Sequence, residues 1–405
     1  MKRKRFFIVA VFVAALSIVT SGFVTSTGSS AASKAPIKIG LIASYTGALA
    51  GARENAPQAI VARIDWQNAH GGIDGRKIEL IREDDQSSPT VNLSAAKSLS
   101  SQGIVAMVES ASLDTGGAPY LQSQDIAVGD SSQGPEVGEY RNFFGASGSL
   151  SSTYPSISVW GQFLKSQGAT NFAGLGYGAF PSSVGEVTGW VGSAQAAGIS
   201  APYVNTSLSI PVADWSPVCL AMKSDNIDSV GASLASSDTL AMLAACQQIG
   251  LTFKATIFPS GFGPSSLGQT LANTEAQGTD YSVPYVPALV KKTATATMLK
   301  AFKEYGVGYA GFDAESGWLS ADIIIYGLEH AGTNITRKSV LHALQNTTAY
   351  TGGGLEITPV NFKSEYGVGS VGSGPAPRYC DYFVRLVGQA FKLISNAPIC
   401  GTVVK

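Results

Sequence analysis

A chain of 405 residues exceeds the size at which one hydrophobic core keeps growing, so its length predicts two domains. Its composition, 45% hydrophobic and 14% charged with 46 glycines, fits a well-packed globular body with many short turns, and no stretch is collagenous or disordered. Residues 1–35 carry five basic side chains and no acidic one, so the remainder has 22 basic against 28 acidic residues, a net charge of −6 that argues against nucleic acid as a partner.

The first segment reads as a secretory signal. MKRKR is a basic n-region, FFIVAVFVAALSIVT an apolar h-region of 15 residues, and the small residues of SSAASKA follow. That run is too short and wrongly flanked to span a membrane. No cysteine stands near its end, so a lipid anchor has no attachment point. The expectation is a signal peptide over 1–35 and a periplasmic or extracellular mature protein. Four cysteines, Cys219, Cys246, Cys380 and Cys400, lie in the second half, and an even count in an exported chain favours disulfides over metal binding. Sequence proximity points to 219–246 and 380–400, with three connectivities formally open.

Next along the chain, IKIGLIA (37–43) is a nearly continuous apolar run, the pattern of a strand buried on both faces of a parallel sheet. A helix follows, with Ile60, Val61 and Ile64 at helical spacing, and Gly71-Gly72 closes it because glycine accepts the left-handed conformation at a helix end. Asp74-Gly75 is a turn signal, and KIELIRE alternates as a half-buried strand does. Ser88-Pro89 opens the next helix, Ser as N-cap and Pro in the first position. IVAMV (104–108) and IAVG (126–129) continue the alternation, which forces parallel pairing through right-handed crossovers.

After Tyr154 the rhythm restarts: helix at 160–164, strand 172–177, helix 183–197, strand 202–206, helix from about Asp214, strand IDSVGA, helix 238–249 and strand TIFP. LSADIIIYGLEHAG and SVLHALQ then return to helix. The fold class is α/β, with two doubly wound parallel-sheet lobes. Ligands of such sheets sit outside the C-terminal ends of the strands, which places function in the cleft between lobes.

Catalytic chemistry lacks its players. His70, His330 and His342 fall in helices or at helix ends and read as surface or capping residues. No HExxH, no metal-spaced Cys/His cluster and no GxSxG elbow occurs. GVGYAG (306–311) follows a helix and GVGSVG (367–372) runs into SGPAPR, so neither occupies the strand-to-helix turn that cradles phosphate. Glu83-Asp84-Asp85 reads as a solvated turn leading to the Ser88 cap, and Asp313 and Glu315 as complements to a helix dipole. No enzyme activity, cofactor or metal is expected.

IKIGLIASYTGALAG, NAHGGIDGRKIELIREDDQSSP and SQGIVAMVESAS together resemble the extracellular solute-binding proteins of ABC importers, branched-chain amino acid type, which are type 1 periplasmic binding proteins. A looser likeness continues through ATNFAGLGYG, VADWSPVCLAM, ACQQIGL and GGGLEITPVNF. The resemblance implies a monomeric two-lobed receptor with three hinge crossings, near Asn142–Ser151, Val283–Pro287 and Tyr350–Gly354. Lobe 1 then comprises 36–145 plus 286–350, and lobe 2 comprises 146–285 plus 351–405. Its partners would be a small ligand and the membrane subunits of an ABC permease.

The family's first ligand loop corresponds to Val108–Ser112, giving Ser110 and Ser112, and its second to GDSSQGPE, giving Ser131, Ser132 and Gln133. Where the amino-acid binders carry a large aromatic after the first strand, this chain has Ala52 with Arg53 beside it. Their second-lobe tyrosine falls in Phe180-Pro181-Ser182-Ser183, and their ammonium-pairing acid falls near Gly261-Phe262. A buried ammonium without an anionic partner is costly, which argues against an α-amino acid. The expected ligand has a carboxylate or amide at one end and a hydrophobic body, an aromatic or alicyclic acid being favoured. Arg53, Ser110, Ser112, Ser131, Ser132, Gln133, Phe180, Ser182 and Phe262 are the expected contacts. The alternatives are a branched-chain amino acid carrier proper and a sensory module uncoupled from transport.

Overall fold

The computed structural model describes residues 34–47, 49–50, 54–111, 116–131, 136–146, 155–259, 274–365 and 379–404. The signal segment through residue 33, Arg53, Ser112, Ser132, Gln133, Phe262 and the GVGSVG motif lie outside them.

Five parallel strands, β1 (Ile37–Ala43), β2 (Ile78–Asp84), β3 (Ala106–Ser110), β4 (Ala127–Asp130) and β5 (Phe143–Gly145), form a first sheet in the order β2-β1-β3-β4-β5. Helices α1 (Ala56–Ala69), α2 (Pro89–Ser101), α3 (Ala118–Ser123) and α4 (Glu136–Glu139) connect them. The local chemistry follows the sequence. Gly71 and Gly72 have φ of 108° and 65°, and a Cβ on Gly72 would lie 2.0 Å from the Arg76 carbonyl, so only glycine fits there. Ile73 and Arg76 pair across Asp74-Gly75, whose φ values are 50° and 76°, as a tight hairpin turn requires. Asn68 then fixes the strand start, accepting from Ile78 N at 2.7 Å and donating to its carbonyl at 2.9 Å.

A second sheet has the order β12-β11-β10-β9-β8-β6-β7, with β13 also paired to β11. Its parallel part is β6 (Asn171–Tyr177), β7 (Ser200–Leu208), β8 (Ser229–Ser233), β9 (Ala255–Pro259) and β10 (Asp280–Val283). Helices α5 (Ser158–Ser166), α6 (Pro181–Ala196), α7 (Ser216–Ser224) and α8 (Ser236–Gln248) alternate with these strands. Antiparallel strands β11 (Tyr379–Val387), β12 (Ala390–Leu393) and β13 (Ile399–Gly401) extend the sheet, which makes it mixed. Sequence alternation alone did not anticipate this extension. Both expected disulfides are present, Cys219–Cys246 joining α7 to α8 and Cys380–Cys400 joining β11 to β13.

Between β10 and β11 the chain forms α9 (Thr293–Glu304), α10 (Phe312–Glu329), α11 (Arg337–Gln345) and α12 (Phe362–Glu365). Helix α10 belongs to the first sheet: Ile323, Ile324 and Leu328 are buried in one core with Leu41, Val108, Val128 and Phe143. Tyr350, Val360 and Phe362 join the same core, and Phe362 stands edge-on to Phe144 at 5.3 Å. Helices α1 and α10 run side by side in the same direction. Asp313 binds the start of α1, and Glu329 accepts from Gln67 near its end at 2.9 Å. At Gly317 a Cβ would come within 2.4 Å of the Ala56 carbonyl, so the two helices meet backbone to backbone.

Three local expectations change. Ser88 occupies the N-cap position of α2 with extended backbone, but its side chain makes no capping bond. Asp85, read as part of a solvated turn, is fully buried and accepts from Ser87 N at 2.9 Å. Asp313 and Glu315 do sit in the first turn of α10, yet both are buried and bond to other segments instead of facing solvent. Helix caps and turn acids are drawn from sequence by local spacing, whereas the carboxylates of Asp313 and Glu315 serve partners distant in sequence.

Candidate functional site

The C-terminal edges of both sheets carry clusters of hydrogen-bonded polar groups. On the first sheet the loop after β1 is tied to the loop after β2. Asp84 Oδ1 accepts from the amides of Tyr45 (3.0 Å), Thr46 (3.2 Å) and Gln86 (2.9 Å), and Oδ2 from the Thr46 hydroxyl at 2.6 Å. Burial works to raise the Asp84 carboxyl, but the Thr46 hydroxyl and these amides outweigh it and hold it below the usual carboxylate range. Ser87 continues the tie, donating to the Thr46 carbonyl at 3.0 Å.

Strands β3 and β4 end in Ser110 and Asp130, and Ser131 follows directly. Ser131 donates its amide and its hydroxyl, each at 3.0 Å, to the Glu109 carbonyl, which locks the two strand ends together. From α10, Ser316 donates to the Ser131 carbonyl at 2.9 Å. Glu109 faces α2, where Asn92 donates to its carboxylate at 2.6 Å, so by strand alternation Ser110 lies on the opposite face, toward α1 and α10. Ser110 is 1% exposed, and its hydroxyl has no hydrogen-bond partner among the described residues.

A second unpartnered group lies on that face. Asn55 precedes α1 and is fully buried, its backbone amide and that of Ala56 donating to Asp313 Oδ2 at 2.9 and 3.0 Å. Neither side-chain polar atom of Asn55 has a partner among the described residues. Each such buried group left unmade costs about 1–3 kcal/mol. Two residues beyond Asp313, Glu315 accepts from Ala288 N at 2.5 Å. Burial pushes its carboxyl well above the usual range, and the Ala288 amide offsets only part of this.

On the second sheet, β6 ends at Tyr177. Its phenol donates to Asp238 Oδ2 at 2.5 Å and accepts from Ala235 N at 3.0 Å, and burial followed by the Asp238 bond raises its pKa. Phe180 packs edge-on to Tyr177 at 6.1 Å, half-buried, immediately before α6. Ser183 holds this turn, accepting from Tyr177 N at 2.9 Å and donating to the Ser233 carbonyl at 2.7 Å. Ser182 is half-buried beside it.

Of the expected contacts, Ser110 and Ser131 are therefore brought together on one edge, and Phe180 and Ser182 on the other. Among the described residues no hydrogen bond joins the two pairs. Asn55 and Tyr177 were not singled out from sequence, and Asp313 was read only as a complement to the dipole of its own helix. Asn55 carried a weak local signal, an N-cap residue type followed by a helix, but its link to Asp313 spans 258 positions. The three histidines stand as read. His70 and His330 end α1 and α10, stack on Trp66 and Tyr326 at 4.0 and 3.9 Å, and bond the carbonyls of those residues through Nδ1. Among the described residues no group of acidic, Cys or His side chains could hold a metal ion, and no helix is long and apolar enough to cross a membrane.

A family model described as periplasmic binding protein matches residues 36–370. No curated protein matches the chain in sequence. Among solved structures it is similar to a fatty acid ABC transporter substrate-binding protein from Thermomonospora curvata, with 16% identity over 89% of this chain and 92% of the other and a TM-score of 0.73. It is similar also to the branched-chain amino acid transporter substrate binding protein LivJ from Streptococcus pneumoniae, solved with isoleucine, at 14% identity, 89% and 99% coverage and a TM-score of 0.70. A solute binding protein of an ABC transporter from R. palustris, in complex with benzoate, matches at 16% identity, 91% and 98% coverage and a TM-score of 0.69. At these identities the likeness is one of fold, and the ligands named for these structures differ in chemistry.

Proposed function

This chain belongs to the periplasmic binding protein family, and from that premise we propose that it is the exported solute-binding component of an ABC importer, clamping a small organic ligand between its lobes and presenting it to a permease. The ligand has a carboxylate or amide at one end and a hydrophobic or aromatic body. The observation that carries this reading is Ser110, a hydroxyl buried without a partner at a strand end, where ligands of open α/β sheets bind. Phe180, at the edge of the second sheet, suits the apolar body. Ser131 would act with Ser110, and Arg53, Ser112, Ser132, Gln133 and Phe262 complete the proposed contact set.

Ligand binding then selects a closed form for the permease to recognise. Moving a lobe equilibrium from 1:99 to 99:1 takes about 5.5 kcal/mol of differential affinity, within reach of a few charge-assisted hydrogen bonds plus buried apolar area. Calorimetric titration with benzoate-like acids, their amides and leucine tests the reading, with small-angle scattering to follow compaction. Binding of the hydrophobic acids or amides with a smaller radius at saturation is expected. Micromolar binding of leucine with none of the others would return the protein to the branched-chain amino acid group.

A further inference from the structure

We propose that Asn55 is a ligand-contacting residue and that, with Ser110, it selects a neutral amide head group over an ionised carboxylate. This rests on the ligand-binding reading above and narrows its head-group chemistry.

The argument begins with placement. Asn55 starts the helix that follows β1, and Ser110 ends β3 directly beside Ala43, the last residue of β1. Both therefore lie at the C-terminal edge of the first sheet, on the face covered by α1 and α10. Asp313 and Ser316, one turn apart on α10, tie that edge together, Asp313 through the Asn55 and Ala56 amides and Ser316 through the Ser131 carbonyl. The backbone of Asn55 is thus held while its side chain is left without a partner. Buried polar side chains are almost always satisfied, and one that is not calls for a missing partner.

The chemistry of that partner follows from the side chain. A carboxamide presents a donor and an acceptor side by side. The group that satisfies both must accept and donate from neighbouring atoms, as a primary amide, lactam or urea does. An ionised carboxylate only accepts, so it would bond Asn55 Nδ2 and leave Oδ1 facing an oxyanion. The Ser110 hydroxyl can donate to the ligand carbonyl in either case. The carboxylate of Asp313, which binds the Asn55 and Ala56 amides, adds to the penalty for an anion and not to that for an amide. Because both residues are buried, the head group would reach them with the lobes apart and be enclosed on closure.

Matched pairs test this on the wild-type protein: benzamide against benzoate, cyclohexanecarboxamide against cyclohexanecarboxylate, and hexanamide against hexanoate, each titrated calorimetrically at pH 7.5. The expected result is tenfold or tighter binding of the amide in every pair that binds. Asn55→Leu should erase that preference, weakening the amide tenfold or more and the acid little, while Ser110→Ala should weaken both members of a pair. Acids binding as tightly as their amides would overturn the assignment and leave the ligand class intact. An unchanged preference in a folded Asn55→Leu protein would overturn the role of Asn55. Binding of no member of any pair would reject the ligand class itself, and this inference with it. Should the Asn55 variant not fold, the wild-type ratios alone decide.

Discussion

The indole N–H of Trp160, on α5, donates to the Asp381 carboxylate on β11 at 3.0 Å, across 221 positions of sequence. Ser282 donates to the same oxygen at 2.5 Å, and among the described residues no cation accompanies these two donors. Burial therefore prevails, raising Asp381 to about 6 while the Ser282 and Trp160 bonds oppose it. A carboxyl whose folded pKa exceeds its unfolded one takes up a proton on folding. Its contribution is most favourable below about pH 4 and is lost as pH rises through 6. The shift corresponds to at most about 3 kcal/mol. Asp381→Asn should flatten the pH dependence of urea unfolding between pH 4 and 7, and parallel profiles for variant and parent would refute this account.

The two disulfides close loops of 27 and 20 residues. On the chain-entropy estimate each stabilises the fold by about 3 kcal/mol. Replacing either pair by alanines should lower the denaturation midpoint, and peptide mapping of the parent without reductant should recover both linked pairs. A free thiol signal from the folded parent would contradict the pairing.

Gly317 has no room for a methyl group against the Ala56 backbone. Gly317→Ala must push α1 away from α10, with an expected loss of about 1–3 kcal/mol, where an exposed helical glycine would gain from the change. A stabilised variant in chemical unfolding would show that the helices are not in backbone contact.

Asp84→Ala removes the acceptor shared by Tyr45, Thr46 and Gln86. Amide hydrogen exchange at those three residues should accelerate tenfold or more, while the core amides of β1 keep their protection. Uniform acceleration throughout the first sheet would instead mean global destabilisation.

How much of this was legible depended on the range of the signal. Strand β1, with its apolar run, and the Gly71-Gly72 helix end were readable because propensity and pattern act within a few residues. Strand β11 escaped because its place in the sheet is set by β10, whose last residue precedes it by almost a hundred positions, and β12 and β13 reach the sheet only through β11. Ser110 and Ser131 were placed by family resemblance, and the structure adds that the Ser131 hydroxyl is already spent on the Glu109 carbonyl while that of Ser110 is not. Asp313 was misjudged for a physical reason. An acid in a first helical turn ordinarily stabilises its own helix, and here it caps the neighbouring one.

The long helix α10 covers β3 and β4, a Cβ on Gly129 of β4 would meet the Ser320 carbonyl at 2.2 Å, and Ser131 waits for a donor 185 positions downstream. A chain emerging from its N-terminus therefore lays down all five strands of the first sheet with the face over β3 and β4 still uncovered. That face stays open while the whole parallel part of the second sheet, through β10, is synthesised. The sheet begun first is completed late, and during that interval its uncovered strands are open to misassociation, the kind of surface that chaperones shield.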